Sequence, residues 1–447
     1  MNTFKMLQRF AAIALLAVVF VACDDEEDDI VTPPTTTNVE VLEGDITANR
    51  TLDATKKYLI KGKVFVQAPA TLTIPAGTIL FGDKASKGAL IINRGAKIMA
   101  EGTATNPIIF TSNAPAGFRN RGDWAGIVIC GNADNNGNAN STIEGISATG
   151  TENGLYGPGA GAAINDQNSG SMKFCRIEFA GQELSPDNEL NSLTMGSVGS
   201  GTVIENIMVS YANDDAYEWF GGFNNHKYLI AYSTWDDDFD SDRGYSGKVQ
   251  FGLIIRDANI ADKSGSRAFE ASSNSNAGAA LQSACEFANI TVVGPRVFAF
   301  SINANYQAAV ELNSNTKLKL YNSILSGFTT GIRFNGSGAD AAVTGNYFFR
   351  NGANTSTSGG STVPANFATT NTALGDSATF VGEVWSATPS FANFNPLLKS
   401  GSPLATGANA VAGFEAVPYI GAFGTSAAAG WNWGTAWIEF DAVNKAY

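Results

Sequence analysis

One short phrase recurs between residues 215 and 333 and keeps an apolar residue followed by a charged one. Its copies are Asp215-Ala-Tyr-Glu218, Asp237-Asp-Phe-Asp240, Arg267-Ala-Phe-Glu270, Ala308-Ala-Val-Glu311 and, last, Thr330-Gly-Ile-Arg333. Successive fourth residues lie 22, 30, 41 and 22 positions apart. A step near 22 with occasional insertions suits one coil of a β-solenoid carrying variable loops. Asn191-Ser-Leu-Thr194 fits the same frame 24 residues earlier, with a neutral residue in the charged slot. Coils stacked at sheet spacing put equivalent residues ~4.8 Å apart. Tyr217, Phe239, Phe269, Val310 and Ile332 then form an inward ladder. Thr194, Glu218, Asp240, Glu270, Glu311 and Arg333 form an outward one.

Short β-branched or aromatic runs such as Tyr58–Val66, Thr71–Ile74, Ile204–Tyr211, Tyr228–Tyr232 and Phe251–Ile255 occur throughout, punctuated by Gly, Pro or Asn. No window sustains a helical period. The fold class expected is all-β: a right-handed parallel β-helix over 45–425, with loop excursions and a C-terminal aromatic cap at 426–447. Residues 145–171 and 351–379, rich in small and polar residues, read as excursions. Trp431, Trp433 and Trp437 give the cap its aromatic content. Its reading is a cover for an open solenoid end, and its rival is stacking onto sugar rings.

The start of the chain carries a different message. Lys5 and Arg9 precede an apolar run from Phe10 to Ala22 that ends at Cys23. This is the pattern of a secretory signal over 1–22. Phe20-Val-Ala-Cys23 resembles a bacterial lipobox, which implies lipidation, such as palmitate, on Cys23. Six carboxylates, Asp24 to Asp29, and a Pro/Thr stretch follow, reading as a solvated tether over 23–44. The acidic run is similar to the surface-export signal of Bacteroidota lipoproteins, which implies a lipid anchor in the outer membrane and an extracellular face.

The chain carries 28 basic and 41 acidic residues, a net charge of −13. Nucleic acid is therefore not expected as a partner. Beyond Cys23 only Cys130, Cys175 and Cys285 remain, without metal-ligand spacing, and they read as buried thiols. The single histidine, His226, excludes multi-histidine zinc sites and leaves histidine-dependent triads effectively without support. Arg121-Gly-Asp123 matches an integrin-type tripeptide, but Trp124-Ala-Gly-Ile-Val128 follows and makes it the start of a strand.

Arg121–Asn132, Asn213-Asp-Asp215, Asp236–Asp240, Phe394–Pro403 and Tyr419–Gly424 together resemble secreted right-handed β-helix proteins of the pectin-lyase-like superfamily. More narrowly they resemble Bacteroidota surface lipoproteins, and the likeness spans about residues 45 to 440.

Strand alternation, with Phe239 inward, sends Asp236, Asp238, Asp240 and Asp242 outward if the strand stays extended. Asp214, Glu218 and Glu270 are their neighbours in adjoining coils. The slot at 238 is otherwise held by Ser192, Ala216, Ala268, Ala309 and Gly331, which leaves a shallow trough beside a carboxylate wall. Facing like charges are destabilising, so these seven acids call for a counterion, raised pKa values or splaying into water. Hard oxygen ligands at this density suit Ca²⁺, although the run is no EF-hand: Arg243 stands where Gly is required. Asp215, Asp237 and Arg267 fall on the inward parity and are expected at a coil corner, with Arg267 pairing a neighbouring carboxylate.

Three functions stay open. One is a non-catalytic binder of polysaccharide or another extracellular polymer, with Trp219, Tyr232, Trp235 and Glu311 as ligand contacts. Another is an enzyme acting on acidic glycans. Likeness to calcium-dependent pectate lyases implies Glu218, Asp238, Asp240 and Glu270 around Ca²⁺, with Arg267, Arg333 or Lys248 as base. An inverting pair would instead use Asp215 and Asp237, but the Gly-His-Gly and Arg-Ile-Lys motifs of polygalacturonases are missing. The third is a structural scaffold.

Overall fold

A computed structural model describes residues 38–146, 151–185, 188–273, 280–297, 299, 301–336, 341–373 and 394–447. The signal segment, Cys23 and the acidic run lie outside the described residues. Val39–Ile46 already pairs with Lys57–Val66, so among the described residues the solenoid is under way by 39, inside the segment expected to be tether. Among the described residues no helix is long and apolar enough to cross a membrane.

Each coil visits three parallel sheets in turn, and the coils wind right-handed as parallel crossovers do. Single long strands serve two of the sheets by bending in the middle. Gly170–Glu178, Val203–Ser210, Asn225–Tyr232, Lys248–Ile255 and Glu286–Val293 all do this. The bends fall at Phe174, Asn206, Tyr228, Phe251 and Asn289, whose φ values lie between 48° and 65°. One left-handed residue turns the chain by a fixed amount and then lets the ladder resume. Asn tolerates that conformation, whereas an aromatic residue does so at a cost. Tyr228 and Phe251 offset it by stacking at 5.1 Å between ring centroids.

The register is the one expected from the repeat. Leu193, Tyr217, Phe239, Phe269, Val310 and Ile332 stack inward, and Thr194, Glu218, Asp240, Glu270, Glu311 and Arg333 stack outward. The inward ladder belongs to a continuous buried core running the length of the solenoid. Ala353–Ser358 continues this sheet by pairing with Thr330–Asn335, so the segment expected to leave the solenoid at 351 still belongs to it. Phe367 then packs against Phe334 and Phe348 at 6.2 and 5.6 Å.

The aromatic C-terminal segment covers a flank rather than an open end. Residues 394–408 pair back on 418–424, and from Asn409 onward the chain runs backwards along the bends and the sheet that follows them. Asn322 donates to the carbonyl of Asn409 at 2.9 Å, Asn289 to that of Tyr419 at 3.0 Å, and Asn206 to that of Gly430 at 2.8 Å. Phe423, Trp431, Trp437 and Phe440 bury the outward residues Met208, Ile230, Leu253 and Ile255. Trp431 and Trp437 are fully buried, which removes them from any sugar-stacking role. The solenoid expected to reach 425 thus ends earlier, and its last part is strap.

A second flank, over the early coils, is covered by the excursion that follows Cys130. Ile143, Ile146 and Tyr156 pack with Leu190 over the outward Ile91, Val128 and Cys130. The three described cysteines are buried and unpaired. Arg121 donates to the carbonyl of Ser233 at 2.8 Å, and Asp123 is buried, accepting from Ser112 at 2.6 Å. The tripeptide is therefore a structural joint.

Replacing Trp431 by Ala removes the centre of the flank cover and is expected to cost about 3–5 kcal/mol. Urea denaturation monitored by circular dichroism measures it, and an unchanged midpoint would contradict the strap's stabilising role.

Candidate cation-binding corner

The corner that precedes the outward acid ladder is built by side chains copying a backbone function. The Oδ1 of Asn191 accepts the amide of Asp215 at 2.9 Å, Asp215 Oδ1 that of Asp237 at 2.8 Å, and Asp237 Oδ1 that of Arg267 at 2.6 Å. Each residue thereby satisfies the amide of its counterpart one coil on, where the bend leaves no carbonyl to do so. Asp215 and Asp237 do sit at the corner, as their parity implies, and one oxygen of each is committed to a backbone amide.

Arg267 closes the acidic run at one end. Its Nε lies 2.7 Å from Glu311, and its Nη1 lies 3.0 Å from Glu270 and 3.6 Å from Asp237. These pairings hold the guanidinium protonated well above its usual range, against the cost of burial. Glu311 is buried between Arg267 and the amide of Asn335 and offers no open contact to a ligand. Arg333 bonds Gln307 at 2.7 Å, and Lys248 pairs with Glu286 on a different sheet at 3.0 Å. None of the three basic residues named as bases stands free beside the acid cluster.

Among the described residues of this acidic run, the carboxylates that cluster without a paired countercharge lie in two coils. Carboxylate oxygens of Asp215, Glu218 and Asp240 lie within 4.8 Å of one another, and so do those of Asp214, Asp215 and Asp236. Asp215 belongs to both trios, a role its inward parity conceals. Glu218 accepts a short hydrogen bond from Asn191. The Oδ1 atoms of Asp236 and Asp240 are buried acceptors with no donor among the described residues. Burial first, and neighbouring carboxylates second, push Asp214, Asp215, Glu218 and Asp240 well above the usual carboxylate range. Asp236 is pushed up to about 6 by burial and then Asp262. The Asp214 end opens into a cavity of about 360 Å³ lined by Glu189, Asn213, Asp214, Trp235, Asp236, Asp262, Lys263 and Ser264.

Four of the seven acids expected as ligands, Asp214, Glu218, Asp236 and Asp240, are brought together, and three are not. Asp242 lies one step along the strand beside Arg243 at 3.5 Å, and Glu270 is taken by Arg267 and by Asn313 at 2.6 Å. Asp238 does not face outward at all: it is wholly buried, with Arg256 at 3.1 Å. The strand starts only at Phe239, so alternation does not reach back across the corner. The small residues at that slot, Ser192, Ala216, Ala268 and Ala309, are likewise buried. The trough is therefore formed by the corner turns and not by missing side chains.

The aromatic contacts divide in the same way. Trp219 is fully buried, stacked 5.2 Å from Tyr245 and donating to His226 Nε2 at 2.9 Å. Burial pushes the His226 imidazole down to about 3, which makes it a neutral core acceptor. Tyr232 lies under Phe440 at 5.5 Å. Trp235 alone of the three lines the cavity, with its indole N–H on Asp262 at 3.0 Å.

Because the raised carboxyls favour their protonated form more in the folded than in the unfolded chain, their contribution is stabilising below the ordinary carboxylate range. It is lost as pH rises through the raised folded values. In chelator, Asp240→Asn is expected to be more stable than the parent at pH 7.5, by an amount of the order of 1 kcal/mol, and the gap is expected to narrow toward pH 5. Thermal melts across that range measure it. A parent more stable than the variant at pH 7.5 would refute the repulsion.

A family described as a pectate-lyase like beta helix domain matches residues 44–387. No curated protein and no solved structure matches the chain.

Proposed function

The chain belongs to the pectate-lyase-like β-helix family, and from that premise we propose that it binds an extracellular polysaccharide through a divalent cation held at the corner. The observation that carries this reading is the trio Asp215, Glu218 and Asp240. Their oxygens fall within 4.8 Å of one another, and no lysine or arginine pairs with them among the described residues. Two oxygens on opposite sides of one Ca²⁺ at about 2.4 Å are separated by about that distance. Hard carboxylate donors select Ca²⁺ or Mg²⁺ over softer metals, and an irregular cluster suits the flexible coordination of Ca²⁺. Bound there, the ion would supply a positive charge for carboxylate or hydroxyl oxygens of a glycan. Asp214 and Asp236 would extend the site into the cavity, and Trp235 would offer a ring edge for a sugar.

Binding is favoured over cleavage by the state of the basic residues. Arg267 is locked among Asp237, Glu270 and Glu311 and is held protonated, so it is a poor acceptor for a sugar proton. Asp237 is buried and tied to the same arginine. The reading also includes the setting: a protein on the outer face of the outer membrane, anchored by lipid on Cys23 beyond an acidic tether. Metabolic labelling with palmitate is expected to mark the wild type and not Cys23→Ser, and a wild type that takes up no label would argue against the anchor.

Isothermal titration with CaCl₂ is expected to give a Kd of about 10⁻⁴–10⁻³ M, the range of extracellular modules, and Asp215→Asn is expected to abolish it. Protons compete for carboxyls whose values are raised, so affinity should fall as the pH drops from 8 toward 5. Uronate-rich polymers should be retained on immobilised protein in Ca²⁺ and released by chelator, without unsaturated products. Retention that ignores chelator would sink the cation bridge, and unsaturated ends in the eluate would make the protein a lyase.

A further inference from the structure

The corner contains one internal charge pair that its neighbouring coils lack. At the slot of Asp238 the other coils carry Ser192, Ala216, Ala268, Ala309 and Gly331, all of them buried without a charge. Only the coil of Asp238 has a carboxylate there, and beside it lies a wholly buried arginine, Arg256. Desolvating two charges is costly, and a well-packed apolar pair is often as stable or more so. Stability alone is thus a weak account of why this coil departs from the rest.

The contacts of Arg256 suggest another. Its Nη1 donates to the carbonyl of Asp236 at 2.7 Å and lies 3.1 Å from Asp238, and its Nη2 reaches the carbonyl of Trp235 at 3.4 Å. Its Nε lies 3.3 Å from the hydroxyl of Tyr306, whose ring centre is 5.1 Å from the guanidinium carbon. That hydroxyl is itself fixed by the carbonyls of Asp257 and Ile260. The planar guanidinium therefore grips the turn 235–238 from inside the solenoid, and that turn is the one presenting Trp235 and Asp236 to the cavity. Lysine, a point charge, has no fork with which to hold two carbonyls and a carboxylate together.

We infer that Arg256 is a positioning residue for the cation site, fixing from behind the turn that carries Asp236. The inference rests on the proposed cation site. Positioning and bare electrostatics make opposite demands, which gives the test its force. Removing a positive charge near a cation site should tighten binding if charge is all that matters, and should weaken it if the turn loses its shape.

CaCl₂ titrations of the full chain, wild type against Arg256→Met and Arg256→Lys, decide the matter, with melting temperatures recorded alongside. Arg256→Met is expected to weaken Ca²⁺ binding by about 10- to 100-fold, the usual range for residues that orient metal ligands, and Arg256→Lys to recover only part of it. Unchanged or tighter Ca²⁺ binding in a folded Arg256→Met protein would overturn the inference while leaving the cation site standing. Absence of Ca²⁺ binding by the wild type would remove both. If Arg256→Met fails to fold, Tyr306→Phe, which deletes only the hydroxyl that braces the guanidinium, takes its place. That variant should show weaker Ca²⁺ binding at a near-native melting temperature, and wild-type affinity would count against the inference.

Discussion

Parallel backbone pairing governs everything in this molecule, because it places each side chain about one strand spacing from its counterpart in the next coil. Whatever a position holds is therefore repeated along an axis. Apolar residues gain from the repetition, and Tyr217, Phe239 and Phe269 become a continuous aromatic file with ring centroids 5.4 and 5.3 Å apart. Carboxylates suffer from it, since Glu218, Asp240 and Glu270 are held in line by the same ladder. The fold cannot separate them without breaking the pairing that stabilises it.

The protein handles that conflict in two ways along one stripe. Toward the later coils it supplies arginine, with Arg267 threaded among Asp237, Glu270 and Glu311 and Arg333 beyond it. Toward the earlier coils no such partner reaches the trio among the described residues, and the carboxyls of buried Asp215 and Glu218 and half-buried Asp240 are left crowded and reluctant to ionise. The contrast within a few coils sets an acidic cluster that could hold a cation apart from one neutralised by arginine.

The strands are legible in the sequence and the corners are not. Within Tyr217–Phe220, Phe239–Asp242 and Val310–Leu312 alternation holds, so inward and outward ladders follow from a period of two. Upstream of Phe239 that rule lapses, and Asp238 turns inward although its parity points out. Asp215 resembles a catalytic acid in sequence because nothing in its spacing reveals that its oxygen caps an amide one coil away. Trp219 and Tyr232 look available for sugars because aromatic residues carry no mark of which face will be covered. The C-terminal segment conceals most: its tryptophans signal burial, but their partners lie in coils far back in the chain, and no local pattern encodes such pairing.

That backward-running segment has a bearing on how this architecture can change over generations. Repeat folds ordinarily grow or shrink by gaining or losing whole units, since each unit touches only its neighbours. Here Asn322, Asn289 and Asn206 meet Asn409, Tyr419 and Gly430 in reverse order, so the segment is a ruler laid against the stack. An extra coil inserted between those asparagines would leave every later mark on the ruler misaligned. The number of turns is therefore locked by a stretch of chain outside them, and diversification is left to the loops.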